Sequence, residues 1–187
     1  MTPTKLLTFC ALFFLFFATS CEDEMPPPVE EPEEVITTLT YELVSEDGSD
    51  TVILTFKDLD GDGGAEPEIT GGTLQSNTTY DGQITLLNES ETPSENITEE
   101  VAEEDEEHQL FFSSTGDLVT VTYEDVDENS APVGLVTKLT ATVTGSTDLK
   151  ITLRHEPAKD GENVAAGDIT NAGGSTDIEV TFPVTVE

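Results

Sequence analysis

Val35–Val44 reads VITTLTYELV, and after a six-residue gap Thr51–Phe56 reads TVILTF. Both runs are rich in β-branched and aromatic residues and partly alternate apolar with polar. Those are the marks of strands with one buried face. The gap itself, Ser45–Asp50 (SEDGSD), holds an Asp-Gly pair suited to a tight reversal, so the two runs predict an antiparallel hairpin. Further strands are predicted at Thr79–Leu87, Leu110–Phe112, Leu118–Tyr123, Leu135–Val143, Leu149–Leu153 and Ile178–Val186. Turn signals at Thr115–Asp117, Asp127–Asn129 and Gly145–Ser146 separate several of them. About 7–9 short strands at this spacing predict an all-β fold, an antiparallel Ig-like β-sandwich. The chain has no Trp and no cysteine pair within this region, so a true immunoglobulin core is excluded. Val52, Leu54, Phe56, Leu110, Phe112, Val119, Val121, Leu139, Ile151 and Leu153 are the expected core.

One segment breaks the strand pattern. Thr92-Pro93-Ser94-Glu95 has the form of a capping box with proline at the first helical position, and Ile97 and Val101 follow at i, i+4 spacing. A single short helix is expected between Pro93 and Asp105. Glu99 with Glu103, and Glu100 with Glu104, place like charges one turn apart, so packing or a cation must offset their repulsion.

Upstream of the sandwich, Met1–Glu24 reads MTPTKLLTFCALFFLFFATSCEDE. Lys5 precedes an apolar run from Leu6 to Ala18, too short to cross a bilayer but suited to a signal peptide. The small residues Ala18, Thr19 and Ser20 lead into Cys21, which resembles the lipobox of bacterial lipoproteins, in which the cysteine is acylated. The acidic Glu22-Asp23-Glu24 resembles the surface-export signal of Bacteroidota lipoproteins. The expected organisation is a signal peptide over 1–20, an acidic Pro-rich tether over 21–34 carrying Pro26, Pro27, Pro28 and Pro32, and a β-sandwich domain over 35–187. The expected location is the outer membrane, lipid-anchored at the cell surface. Cys10 would leave with the signal and Cys21 would carry lipid, so the domain has neither a disulfide nor a thiolate metal ligand.

Charge narrows the partners. The chain has 40 acidic residues against 6 basic ones, and between Asp58 and Thr137 there are 21 acids and no Lys or Arg. Phosphate backbones are repelled by such a surface, which excludes nucleic acid. Anionic lipid is disfavoured equally, so membrane attachment rests on the acyl chains at Cys21.

The succession DLDGDG, TTYDGQITLLNE, ENITEEVAEEDEEHQLFF, GLVTKLTATV, LKITLRHEP and GDITNAGGSTDIEVTF resembles a family of small Bacteroidota lipoproteins of unassigned function. Genes of that family often accompany one for a TonB-dependent outer-membrane receptor. The resemblance therefore implies a receptor-associated surface lipoprotein and no established ligand.

Two constellations offer metal chemistry. Asp58-Leu59-Asp60-Gly61-Asp62-Gly63-Gly64 puts Asp58, Asp60 and Asp62 where the first half of an EF-hand loop has ligands, a candidate Ca²⁺ site completed by other loops. The second joins Glu107-His108 to His155-Glu156. By period-2 alternation His108 shares a face with Leu110 and Phe112, and His155 with Ile151 and Leu153. Both imidazoles thus end strands on the core side. If those ends are neighbours, they form a Zn²⁺ or Cu²⁺ site with Glu107 or Glu156. No nucleophile elbow is present, and the carboxylates are too many and too solvated to single out an acid/base pair, so an enzyme is not expected. The expectation is a non-enzymatic binding or accessory module for cation or metal-complex capture, with a calcium-stabilised structural or adhesive surface protein as the rival.

Overall fold

Alternation along the first two strands sets the first layer of the fold. The structure, a computed structural model, describes residues 34–61 and 64–187. The expected signal peptide, Cys21, the expected tether up to residue 33, and Asp62 lie outside the described residues. Among the described residues ten strands run in chain order: β1 (Thr38–Ser45), β2 (Thr51–Lys57), β3 (Glu68–Thr70), β4 (Gly72–Leu74), β5 (Thr78–Leu87), β6 (His108–Ser114), β7 (Val119–Tyr123), β8 (Val136–Ala141), β9 (Gly145–His155) and β10 (Ser175–Val186). One helix, α1 (Ile97–Glu103), lies between β5 and β6.

The predicted hairpin forms as β1–β2, with Tyr41 opposite Leu54 and Leu43 opposite Val52, so that their apolar sets share one face. The first sheet has the order β3-β2-β1-β5-β8-β7 and the second β4-β10-β9-β6. Their inner faces close on one core: Leu39, Tyr41, Leu54, Ile84 and Leu139 from the first sheet meet Leu110, Ile151, Leu153, Val180 and Phe182 from the second. The fold is the all-β sandwich that the sequence predicts. Of the expected core residues, Phe56, Phe112 and Val121 are only partly buried and pack against its margin.

Three differences have physical causes. First, β3 and β4 fall within a stretch that the sequence leaves as loop. β3 pairs with β2 in one sheet, β4 with β10 in the other, and Gly71 carries the chain across. A side chain there would meet Pro183 O at 1.9 Å, so only glycine permits the crossing. Second, β4 runs parallel to β10, which makes the second sheet mixed rather than purely antiparallel. Third, the capping box does not form. Glu95 is committed to a backbone bridge with Asn88, donating to Asn88 O at 3.0 Å and accepting at 3.1 Å, so the helix starts only at Ile97.

The outer face of β6 is covered as well. Gln109 and Phe111 are buried there, Phe111 in a small satellite core with Val164 of the 3₁₀ turn Val164–Ala166 and with Ala172, which follows the 3₁₀ turn Ile169–Asn171. Both faces of the first half of this strand, His108 to Phe111, are therefore dry, and His108 is fully buried.

Candidate metal centre

β6 and β9 pair antiparallel with His108 directly opposite His155. The strand ends that the sequence left unconnected are thus neighbours. The imidazole rings stand 4.8 Å apart, centre to centre, in an edge-to-face arrangement. His108 is fully buried and His155 is 5% exposed.

Two acids complete the group. Glu34 enters from the segment preceding β1, and its side chain is only 5% exposed. Its carboxylate lies 2.9 Å from His108 Nε2 and 3.4 Å from His155 Nδ1. Asp177 comes from β10. The β9–β10 ladder pairs Thr176 with Arg154 and Ile178 with Leu153, so Asp177 is the extra residue of a β-bulge. A bulge re-aims a side chain that regular alternation would send to the opposite face. Both Asp177 carboxylate oxygens are buried and accept no hydrogen bond from the described residues. One ligand atom from each of Glu34, His108, His155 and Asp177 lies within 4.8 Å of the others.

The electrostatics of the quartet follow from its bonding. The Nδ1–H of His108 donates to Glu104 O at 3.1 Å, because a carbonyl can only accept. Burial alone would lift the Glu34 carboxyl, yet the His108 bond and charge and the His155 contact prevail and hold it at about 2. A carboxylate likewise only accepts, so the 2.9 Å contact with Glu34 is a hydrogen bond when Nε2 carries a proton as well, the state in which His108 is an imidazolium. Burial would lower the pKa of His108, but Glu34 and the Glu104 carbonyl outweigh it and raise it. Among the described residues Asp177 has no comparable partner. Burial first, and then the Glu34 charge, push it up to about 7, where its proton can bridge to Glu34.

Two imidazoles and two carboxylates match the donor set of four-coordinate Zn²⁺, and nitrogen donors select Zn²⁺ or Cu²⁺ over Ca²⁺. A tetrahedron of Zn–N and Zn–O bonds has edges of about 3.3 Å, so closing the quartet requires side-chain shifts of roughly 1 Å. The backbone carbonyl behind His108 fixes its tautomer and ring plane, as outer-shell acceptors do for metal-bound histidines. A divalent ion would replace the His108 Nε2 proton and the Asp177 proton and leave the buried charges balanced.

The remaining sequence candidates are placed as follows. Glu107 and Glu156 are exposed at the mouth of the same site, where ligand atoms of Glu107, His155 and Glu156 lie within 4.8 Å of one another. At the other candidate loop, Asp58 Oδ1 accepts from Gly61 N–H at 2.9 Å and Asp60 Oδ2 from Ala65 N–H at 3.0 Å. These carboxylates stabilise their own turn. Among the described residues, no metal-holding group includes Asp58 or Asp60. Glu34 and Asp177 were missed by the sequence reading, the first inside an acidic run and the second on what alternation makes an outward position.

No family model matches the chain, and no curated protein matches it. Among solved structures, domains 4 and 5 of the S-layer protein SbsC are similar at 14% identity and a TM-score of 0.32, over 79% of this chain and 75% of that one. A likeness that loose carries nothing over to this chain.

Proposed function

We propose that this chain is a non-enzymatic surface lipoprotein, anchored at the outer membrane through Cys21, whose sandwich domain captures a divalent transition metal of the Zn²⁺ class. The observation that carries this reading is the pair of buried histidines 4.8 Å apart, faced by Glu34 and by an Asp177 whose buried oxygens lack donors among the described residues. The anchor, the surface location and service to a TonB-dependent receptor rest on the leader and on the family resemblance, and the metal site gives such an accessory a cargo. The rival, a calcium-stiffened structural or adhesive protein, has less support, because Asp58 and Asp60 already accept amides of their own loop.

Metal analysis of protein purified without chelator, followed by equilibrium titration with Zn²⁺, tests the reading. One equivalent of zinc is expected, lost in His108→Ala/His155→Ala with circular dichroism confirming that the sheets persist. A folded wild-type chain that shows no saturable zinc binding overturns it. Fractionation of Cys21→Ser checks the anchor, with the variant expected in the soluble fraction.

A further inference from the structure

We propose that Glu107 and Glu156 form the port through which a metal ion reaches the buried quartet, with His155 as the ligand common to both. This inference rests on the quartet being a metal site. His155 belongs to two groups at once: the buried set with Glu34, His108 and Asp177, and an outer set with Glu107 and Glu156. The outer carboxylates are exposed, His155 is 5% exposed and His108 is sealed, so along this side solvent contact falls from the rim to the histidines, while Glu34 and Asp177 are intermediate. A hydrated ion cannot shed all its waters in one step into a dry site. It exchanges them singly, and two solvated carboxylates beside a shared imidazole allow that.

The rim is a built feature. Consecutive residues of a strand point to opposite faces, which should separate Glu156 from His155 and Glu107 from His108. Glu156 instead has φ 50, in the left-handed region, and its N–H donates to Glu107 O at 2.6 Å. The pair thereby ends both strands with its carboxylates gathered around His155. A second approach exists on paper, since Glu34 also groups with Glu100 and Glu104. That group contains no histidine and shares only Glu34 with the quartet, so an ion held there has no nitrogen ligand to carry it inward.

Stopped-flow transfer of Zn²⁺ from a fluorescent chelator to the full-length chain tests the port. In Glu107→Gln/Glu156→Gln, association and dissociation should both slow by roughly tenfold, within the range of electrostatic guidance, while the equilibrium affinity stays within about twofold. Asp117→Asn/Asp148→Asn removes the same charge at the opposite end of the β6–β9 ladder and should leave both rates nearly unchanged. The port is overturned by unaltered rates, by equal slowing in that control, or by slowing confined to Glu100→Gln/Glu104→Gln. Weaker affinity with faster dissociation also overturns it, because Glu107 and Glu156 would then be ligands of the final site. A wild-type chain with no zinc uptake at equilibrium defeats the metal-site reading itself, and the port with it. Zinc uptake with the wrong rate pattern defeats the port alone.

Discussion

Asp177 owes its place to one extra residue in a ladder, and its proton sets a testable pH dependence. Its folded pKa is raised to about 7 from an ordinary 3.8, chiefly by burial. Below pH 3.8 the group is protonated in both states and costs nothing. From there to pH 7 the folded state must hold a proton that the unfolded chain releases, so stability falls, and above pH 7 the cost is complete. Asp177→Asn in chelator is therefore expected to be more stable than wild type at pH 8, by about 1–2 kcal/mol after discounting its partial exposure, and indistinguishable near pH 4. Urea unfolding at the two pH values checks this, and saturating zinc should reverse the order at pH 8. Lys159 is a second residue with a large expected effect. Its ammonium binds Asp127 at 2.9 Å and the Asp105 carbonyl, with the two side chains 8% and 1% exposed. Burial alone would raise the Asp127 carboxyl, but Lys159 and the amides of Ala131 and Asn129 hold it low. Lys159→Ala strands a buried carboxylate and should cost about 3–5 kcal/mol in urea unfolding near neutral pH. That loss should shrink as the pH falls toward 3.8, where the stranded carboxyl takes up a proton, and further below it, where wild type loses the Lys159 pairing.

At the scale of elements, the histidines were legible and their acidic partners were not, and the reason is periodicity. Alternation fixes the inward face of β6 and β9, which is enough to put His108 and His155 on the core side. The same rule applied to β10 turns Ile178, Val180 and Phe182 inward and so sends Asp177 out, and no residue pattern announces the bulge that reverses it. Glu34 has no pattern at all, because it follows Glu30, Glu31 and Glu33 in a run that reads as solvated tether. Similarly, β3 and β4 are three residues each, too short for alternation to register. The helix was legible through Ile97 and Val101, which are 2% and 0% exposed. Its like-charged turns are offset by that packing and by Thr98, whose hydroxyl accepts from Leu86 N–H at 2.7 Å and donates to Leu86 O at 3.1 Å. Ile97→Ala removes much of the apolar contact and should cost about 2–5 kcal/mol, measured by thermal or urea unfolding. Loss of α1 would also release the Glu104 carbonyl from His108, so zinc affinity should fall together with stability.

Over the whole molecule, the excess of acids makes stability depend on the medium. Folding brings together carboxylates that the unfolded chain spreads apart, so sodium chloride is expected to raise the melting temperature. Most of the gain should be reached near 1 M, where the Debye length is about 3 Å. Zinc should add to this at micromolar concentration, because an ion that binds only the folded form stabilises it by about 2.7 kcal/mol at a hundred times its Kd. Calcium chloride at matched ionic strength should follow the sodium chloride curve, since Asp58 and Asp60 are engaged with their own loop. Differential scanning calorimetry of the three series separates screening from binding.

The position of Glu34 also determines how the domain meets mechanical force. Thr37 ties the chain to the first sheet, donating its N–H to Leu87 O at 3.0 Å and accepting from Asp58 N–H at 2.8 Å. Three residues earlier, Glu34 grips His108 and His155 in the second sheet. A pull on the chain upstream of Glu34 is therefore resisted by both sheets in turn before β1 can unzip, and the outermost grip is the one that a metal ion would tighten. In optical-tweezer extension from the N-terminal side, zinc should raise the force of the earliest yielding event, and Glu34→Ala should abolish that event while leaving the main rupture in place. Under the proposed anchoring at Cys21, a pull from the anchor would therefore release a bound ion before it unfolded the sandwich.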